Sequence, residues 1–205
     1  MPACKAGAHR NRSPDSHMYR FVVRLILRAL GWRMEGEAPR LDKYVLIMAP
    51  HTSNWDFPLM LAARTEFRVS TAWMGKAILF RWPFGTLLRA LGGIAVERSS
   101  RNDAVKQMAD VIQRAERIVL AIPPEGTRKR AEFWKSGFYH IAQSAQVPIV
   151  LTYLDYGRKR AGFGPVLDSK LPAKVLMAEA REFYRTVTPK YPEWFGPVRL
   201  RQEED

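Results

Sequence analysis

His51 and Asp56 are the two residues of this chain whose chemistry and spacing best fit a catalytic pair. A neutral histidine can take a proton from an attacking hydroxyl, and a carboxylate on its other nitrogen fixes the tautomer and stabilises the imidazolium. The spacing by itself is a weak signal, because such a match arises by chance in a chain of 205 residues. The elements that flank the pair therefore decide how much it counts.

The segments on either side of the pair predict a strand and a helix. Residues 44–49 are apolar and partly β-branched, which favours a buried strand. Ser53 and Asn54 are good helix N-caps, and residues 55–64 have the apolar content of a helix that packs on one side. In open α/β sheets, reactive groups usually lie in the loop between the carboxyl end of a strand and the following helix, and the strand, polar turn and helix predicted here match that arrangement.

Two further polar segments follow predicted strands. Arg98 ends a strand that begins at Ile94, and Glu125 to Arg128 follow a strand over residues 118–122. Arginine binds phosphate through two nitrogens, and a glycine turn can add backbone N–H groups. Arg98 and the Gly126-Thr127-Arg128 turn are therefore candidates for holding a phosphorylated substrate. Surface ion pairing, for example of Arg98 with Glu97, is the open alternative.

The order of elements predicts the fold class. Strands alternate with helices, which predicts an α/β single domain with a mixed, mostly parallel sheet flanked by helices on both faces. An N-terminal amphipathic helix precedes this domain. We divide the chain into a flexible tail (1–17), the amphipathic helix (18–32), the main domain (33–190) and a C-terminal tail at the surface (191–205).

The N-terminal helix has a pattern typical of the membrane interface. Arg20, Arg24 and Arg28 recur every four residues, so they form one stripe on a helix. The pattern predicts arginines among lipid phosphates and an apolar face in the acyl boundary, made of Phe21, Val22, Leu25, Ile26 and Trp32. Packing of the helix on its own domain is an equally open interpretation.

Charge and composition limit the classes of partner. The formal net charge of +13 predicts an anionic partner: nucleic acid, a membrane surface or a phosphorylated substrate. A nucleic-acid module is disfavoured because the aromatic residues lie mostly in apolar runs. No G-x-S-x-G elbow or metal-ligand histidine spacing supports a hydrolase. The single Cys4 indicates a reducing compartment, and no apolar run is long enough to span a membrane.

Four segments in order resemble the blocks of the glycerolipid acyltransferase family, best known for its lysophosphatidic acid acyltransferases. They cover roughly residues 44–155 and comprise His51-Thr52-Ser53-Asn54-Trp55-Asp56, Gly93-Ile94-Ala95-Val96-Glu97-Arg98, Pro124-Glu125-Gly126-Thr127-Arg128 and Val147-Pro148-Ile149-Val150. Each block alone is a weak signal, but four in the same order are specific.

The resemblance implies roles for individual residues. His51 resembles the general base that deprotonates the acceptor's free hydroxyl for direct attack on an acyl thioester, and Asp56 resembles its orienting partner. Arg98 in the second block and Glu125, Gly126, Thr127 and Arg128 in the third match the segments associated with the acceptor's glycerol phosphate. The fourth block is associated with shaping the site.

The resemblance also implies the reaction and its partners. We expect a peripheral enzyme on the cytoplasmic face of an anionic membrane that acylates a lysophospholipid, most simply lysophosphatidic acid. The donor would be acyl-coenzyme A or acyl carrier protein, with no metal, no prosthetic group and no nucleic acid. Residues 151–156 depart from the fourth block's usual continuation, which leaves open a lipid-binding or remodelling protein with a different acceptor.

A group of apolar residues between the first and second blocks allows two interpretations. They can form an acyl channel leading toward His51, or they can pack in the core, which is the interpretation we favour for most of them. The group consists of Met74, Ile78, Leu79, Phe80, Trp82 and Phe84.

Overall fold

The apolar run before His51 forms the central strand of the fold. In the computed structural model, which describes residues 17–96 and 101–203, this run is strand β2 (Lys43–Met48). Tyr44, Val45, Leu46 and Ile47 are all buried, so both faces of the strand are covered. Burial on both faces is what a continuous apolar run predicts for a central parallel strand.

Within the described residues, six further strands join β2 in one sheet: β1 (Arg33–Glu35), β3 (Thr71–Lys76), β4 (Gly93–Val96), β5 (Ile118–Ile122), β6 (Ile149–Asp155) and β7 (Arg160–Leu167). The spatial order is β1-β7-β6-β2-β5-β3-β4. Only β6 and β7 pair antiparallel, and all other neighbours run parallel. The predicted mixed, mostly parallel sheet is confirmed.

Helices cover both faces of this sheet. Those found in the described residues are α1 (His17–Ala29), α2 (Asp56–Glu66), α3 (Gly85–Ala90), α4 (Arg101–Arg114), α5 (Gly137–Ala145) and α6 (Ala173–Tyr184), with 3₁₀ turns at Ala77–Phe80, Pro192–Trp194 and Arg201–Glu203. The main core joins α4, α5 and α6 to one face. On the other face, α2 covers β2, and α1 packs on α2 through Val23, Leu27 and Leu59. The predicted two-sided arrangement is confirmed.

Strand register decides which loops meet. β2 pairs with β5 on one side, where Ile47 lies opposite Ile122, and with β6 on the other, where Met48 lies opposite Thr152. All three strands run in the same direction, so their carboxyl ends lie at one edge of the sheet. The segments that follow β2, β5 and β6 therefore leave the sheet side by side.

The N-terminal helix is shorter than predicted. It ends at Ala29, and the chain turns at Gly31, whose φ of +78° lies in the left-handed region that glycine adopts readily. Trp32 is buried and stacks edge-on against Tyr156, with ring centroids 5.1 Å apart. Trp32 therefore belongs to the core, and its predicted place in the acyl boundary is wrong.

Helix α1 turns most of its apolar side chains outward. Val23 and Leu27 are its buried residues, and the arginine stripe lies next to them, with Arg24 paired to Glu66 of α2. Its exposed large apolar side chains are Met18, Tyr19, Phe21, Val22, Leu25 and Ile26, and Leu30 just after the helix is also exposed. The helix thus both packs on its own domain and presents an apolar face to its surroundings.

The apolar group between the first two blocks lies mostly at the surface. Ile78, Leu79, Trp82 and Phe84 are exposed, which contradicts both the acyl channel and the core packing predicted for them. Phe80 is buried, and the half-buried Met74 packs against the main core. The reason is local: in the 3₁₀ turn after β3, Phe80 points inward while Ile78 and Leu79 point outward, and Trp82 and Phe84 lie in the exposed stretch that follows the turn.

The segment after residue 190 is not a surface tail throughout. Leu200 is completely buried in the main core, and Val198 joins the same cluster. The backbone N–H of Trp134 donates to Arg199 O at 2.8 Å, which fixes this segment against the chain before α5. The backbone of this segment passes so close to Ala131 that a Cβ on Gly196 would clash with Ala131 O, which explains the glycine at this position.

Replacement of Leu200 by alanine tests whether this segment contributes to the core. We expect Leu200→Ala to lower the free energy of unfolding by about 2–5 kcal/mol, because it leaves a cavity among packed side chains. Leu41 is exposed, so Leu41→Ala is the matched control and should change stability by less than about 1 kcal/mol. Equal effects in urea unfolding would contradict the packing described for residues 191–203.

Candidate active site

His51 lies at the carboxyl edge of the sheet, three residues beyond the end of β2. Its backbone N–H donates to Glu125 Oε1 at 2.9 Å. Glu125 follows β5, the parallel neighbour of β2, so the strand pairing itself brings the first and third sequence blocks into contact. His51 is partly exposed, and its imidazole can therefore reach a ligand at this edge.

Asp56 is the most highly connected side chain of the site. Its Oδ2 accepts the backbone N–H of Ser53 at 3.0 Å, in the manner of an acidic residue that caps the turn three residues before it. Its Oδ1 accepts the hydroxyl of Tyr156 at 2.6 Å. The carboxylate is buried at the first position of α2, so its orientation is fixed from two sides.

The predicted pair is in contact. His51 Nδ1 lies 3.0 Å from Asp56 Oδ2, although the two atoms do not meet the full geometric criteria for a hydrogen bond. With Nδ1 beside the carboxylate, Nε2 is the nitrogen that remains for a ligand.

Glu125 is a buried carboxyl group directly behind His51. Its side chain is 4% exposed, and Oε2 has no hydrogen-bond partner among the described residues. Burial raises the pKa of Glu125 to about 7, while the N–H of His51 acts in the opposite direction. A group of this kind exchanges a proton near neutral pH, next to the predicted base.

The turn after Glu125 depends on glycine. Gly126 has a φ of +65°, and a Cβ at this position would lie 2.7 Å from Lys135 Cδ, so a larger residue fits poorly. The N–H of Gly126 donates to Pro123 O at 3.2 Å. This N–H is therefore used within the turn, and the phosphate-binding role predicted for the Gly126-Thr127-Arg128 turn stays a prediction.

The remaining predicted anion-binding residues lie near or beyond this turn. Thr127 and Arg128 are exposed, and Thr127 Oγ1 accepts the N–H of Lys129. Among the described residues no carboxylate pairs with Arg128. Arg98 and Glu97 lie outside the described residues, so the role predicted for Arg98 stays a prediction.

Three residues that the sequence analysis did not select also reach this edge. Tyr156 follows β6 and holds Asp56. Lys135 lies over Gly126, and Lys190 lies 5.2 Å from the ring centre of Trp55 and 5.9 Å from that of Tyr156. Tyr156 had a detectable signal, because it ends the stretch of residues 151–156 that departs from the family pattern.

A narrow apolar cavity of about 60 Å³ begins at the pair. His51 and Asp56 line it near the start of α2, Met60 and Ala63 line it along the helix, and Phe67 lies beyond the helix end. Since α2 has 11 residues, these groups extend over roughly 16 Å along its axis. The volume of this cavity is smaller than the roughly 300–1,000 Å³ of typical ligand pockets. A long acyl chain would therefore have to displace side chains to enter it.

Comparison with known proteins identifies the family. A sequence model described as Acyltransferase matches residues 32–153, which is more than half of the chain. The chain belongs to this acyltransferase family. The predicted resemblance is thereby confirmed, and the match includes all four sequence blocks.

The curated relatives carry one name, 1-acyl-sn-glycerol-3-phosphate acyltransferase. The protein from Escherichia coli K12 is 32% identical over 111 residues, covering 51% of this chain and 44% of that protein. The Haemophilus influenzae protein is 31% identical over 129 residues, covering 58% and 52%. The chain thus spans about half the length of the curated relatives it matches.

A solved structure shares the fold. The 1-acyl-sn-glycerophosphate (LPA) acyltransferase PlsC from Thermotoga maritima matches with a TM-score of 0.57 and 18% identity, over 82% of this chain and 76% of that chain.

In the part of the chain that the structure describes, no helix is long and apolar enough to cross a membrane. No group of three metal-ligating side chains occurs in residues 17–96 or 101–203, and the predicted absence of a metal stays a prediction.

The buried Glu125 predicts a pH-dependent stability. Its pKa of about 7 in the folded state exceeds the ordinary 4.5, so the folded protein binds more protons between these values. This contribution to the free energy of unfolding is complete below the ordinary pKa and is lost as the pH rises through about 7. Between about pH 4.5 and about pH 8, the free energy of unfolding of the wild type should fall by on the order of 3 kcal/mol relative to that of Glu125→Gln.

Urea unfolding at several pH values measures this difference. The exposed Glu193→Gln is the matched control and should follow the wild-type pH dependence. If Glu125→Gln also followed it, Glu125 would titrate as an ordinary carboxyl group.

Proposed function

We propose that the chain transfers an acyl group from a thioester to the free hydroxyl of a lysophospholipid, with lysophosphatidic acid as the preferred acceptor. The single observation that carries the proposal is the contact of His51 with Asp56 in the lining of an apolar cavity. The relatives' shared name supports the choice of acceptor.

The arrangement supports direct transfer by general-base catalysis. The acceptor oxygen attacks the thioester carbonyl carbon while its proton passes to His51 Nε2. Asp56, held by Ser53 and Tyr156, stabilises the resulting imidazolium. The tetrahedral intermediate then expels the thiolate, which takes the proton from His51 and leaves as a thiol, with the new ester bond retained and no acyl-enzyme formed.

The cations at this edge are suited to the acceptor's phosphate. Arg128 and Lys135 flank the Gly126 turn, and Glu125 ties that turn to His51. An arginine without an internal carboxylate partner can bind phosphate through two nitrogens. Phosphate bound there would place the acceptor's glycerol hydroxyl near His51. We assign Arg98 to the same group on the family pattern alone.

We assign the apolar cavity along α2 to the acyl chain, whose entry would displace some of the side chains that line it. It begins at His51, where the thioester carbonyl must lie, and its walls further on are mainly aliphatic and aromatic. A chain in this cavity would hold the carbonyl carbon next to the acceptor hydroxyl, which is the benefit of oriented binding. Acyl-coenzyme A and acyl carrier protein are both compatible donors, and no metal or prosthetic group enters the reaction.

A lipid acceptor requires access to a membrane. The outward apolar face of α1 and the net charge of +13 support peripheral binding to an anionic bilayer, at its cytoplasmic face. Because Arg24 pairs with Glu66, the apolar side chains of α1 rather than its arginine stripe would make the main lipid contact.

Removal of either member of the pair tests the mechanism. We expect His51→Gln and Asp56→Asn to lower the rate of radiolabelled acyl transfer by about 10²–10⁴-fold, because the proton acceptor or its orienting carboxylate is lost. His140 lies on α5, away from the pair, and His140→Gln is the matched control that should retain wild-type rates. Wild-type rates in His51→Gln would show that the mechanism is wrong.

Tyr156 offers a second, more specific test. Tyr156→Phe removes the hydroxyl that positions Asp56 and should lower kcat about tenfold with little change in KM. The hydroxyl of Tyr139 on α5 donates to Leu171 O at 2.8 Å instead, so Tyr139→Phe is the matched control and should leave kcat unchanged. Equal kcat values for the two variants would remove Tyr156 from the mechanism.

The same experiments address a non-catalytic alternative. The departure of residues 151–156 from the family pattern is compatible with a lipid-binding protein that does not use this reaction. Such a protein would bind lysolipid vesicles but form no ester with any acceptor or either donor, in wild type and variants alike.

A further inference from the structure

The segment that follows β3 carries an unusual surface. Ile78, Leu79, Trp82, Phe84 and Leu87, here called the 78–87 surface, are between 52% and 94% exposed, with Trp82 the most exposed. A group of large apolar side chains exposed together often marks an interaction site, whereas single scattered ones are common on any protein surface.

This surface belongs to an ordered segment. Phe80 is buried at its centre and packs so closely on Gly75 and Gly93 that a Cβ on either would lie within 2.7 Å of its ring. Arg89 donates to Phe80 O at 3.3 Å, which fixes α3 to the 3₁₀ turn. The outward side chains are therefore held in place by an inward anchor.

The charged residues of the chain segment that carries this surface are all positive. Between Glu66 and Glu97 the sequence contains no acidic residue, and its cations are Arg68, Lys76, Arg81 and Arg89. Lys76, Arg81 and Arg89 belong to the same segment and are exposed. An apolar centre with a basic rim and a tryptophan at its most exposed point complements the interface of an anionic bilayer.

The surface lies on the same face of the sheet as α1. Phe57 of α2 stacks edge-on against Trp73, with centroids 6.0 Å apart, and Trp73 lies 5.8 Å from Phe80. Arg64 of α2 donates to Leu91 O at the end of α3. Helix α2 is thus flanked by α1 on one side and by the 78–87 segment on the other.

The surface is also at the catalytic edge. β3 runs parallel to β5, so the 3₁₀ turn after β3 begins at the edge where the loop after β5 carries Glu125. A bilayer in contact with this turn would lie beside the site that must receive a membrane-dissolved acceptor.

We propose that the 78–87 surface is a second membrane-docking element, which inserts Trp82 and its apolar neighbours into the interface of an anionic bilayer alongside α1. The inference rests on the proposed function in one respect: an enzyme whose acceptor is a membrane lipid has to bind the membrane. Membrane contacts on both sides of α2 would fix the orientation of the catalytic edge relative to the bilayer. A single amphipathic helix would let the domain rotate about that helix.

Vesicle sedimentation of the full chain tests this docking. With vesicles of phosphatidylcholine and phosphatidylglycerol, the double variant Leu79→Ser, Trp82→Ser should bind about tenfold or more weakly than wild type, because two apolar contacts are lost. Leu41→Ser, Val175→Ser is the matched control, since both residues are exposed but lie elsewhere. Binding of the test variant equal to wild type would overturn the proposal.

Fluorescence quenching by brominated lipids gives an independent readout. The wild type should show quenching that Trp82→Phe, which keeps an aromatic contact and binds vesicles, lacks. Equal quenching in the two proteins would overturn the proposal. So would light scattering that shows a wild-type dimer and a monomeric double variant, since the surface would then serve self-association.

Acyl transfer to a short-chain, monomerically dispersed lysophosphatidic acid separates docking from catalysis. The double variant should retain wild-type rates there, because the site is intact, and lose activity only on vesicles. An equal loss with the dispersed acceptor would place these residues in the site instead and overturn the docking role. A wild type that binds vesicles through Trp82 but transfers no acyl group would refute the proposed function alone.

Discussion

The parallel pairing of β2 with β5 and β6 is the constraint on which the rest of the structure depends. It brings three chain segments that are far apart in sequence to one edge, where they supply His51, Glu125 and Tyr156. Asp56 then links the first segment to the third by accepting the Tyr156 hydroxyl. A shift in the register of either strand pair would separate these groups, so the geometry of the site is a property of the sheet.

Burial at this edge creates the electrostatic properties that catalysis would use. Asp56 is buried but satisfied by two donors, whereas Glu125 is buried with one oxygen unpartnered among the described residues, and its pKa rises to about 7. The two carboxyl groups therefore differ in character although both contact the same histidine. A carboxyl group held by two donors beside Nδ1, together with a proton-exchanging group at the backbone N–H, is a suitable setting for a general base.

Local patterns account for what could be predicted from the sequence. The strand before His51, the helix after the polar turn and the alternation of strands and helices depend on neighbouring residues, and the structure agrees with them. The predicted N-caps Ser53 and Asn54 are wrong, because Trp55 occupies the N-cap position without a side-chain hydrogen bond. The contact of Tyr156 with Asp56 joins residues 100 positions apart, which no periodicity reveals. Composition also cannot tell inside from outside: Phe80 is buried and Trp82 exposed in one apolar run, while Leu200 is buried in an apparently polar tail.

The most direct test of the account is whether the purified chain forms an ester. Mass spectrometry of vesicles containing lysophosphatidic acid, with acyl-coenzyme A or acyl carrier protein as donor, would measure phosphatidic acid and released thiol together. We expect equal amounts of both, formed only when donor and acceptor are present. Vesicle binding with no ester from either donor, or thiol release without ester, would contradict the claim that this edge of the sheet catalyses acyl transfer.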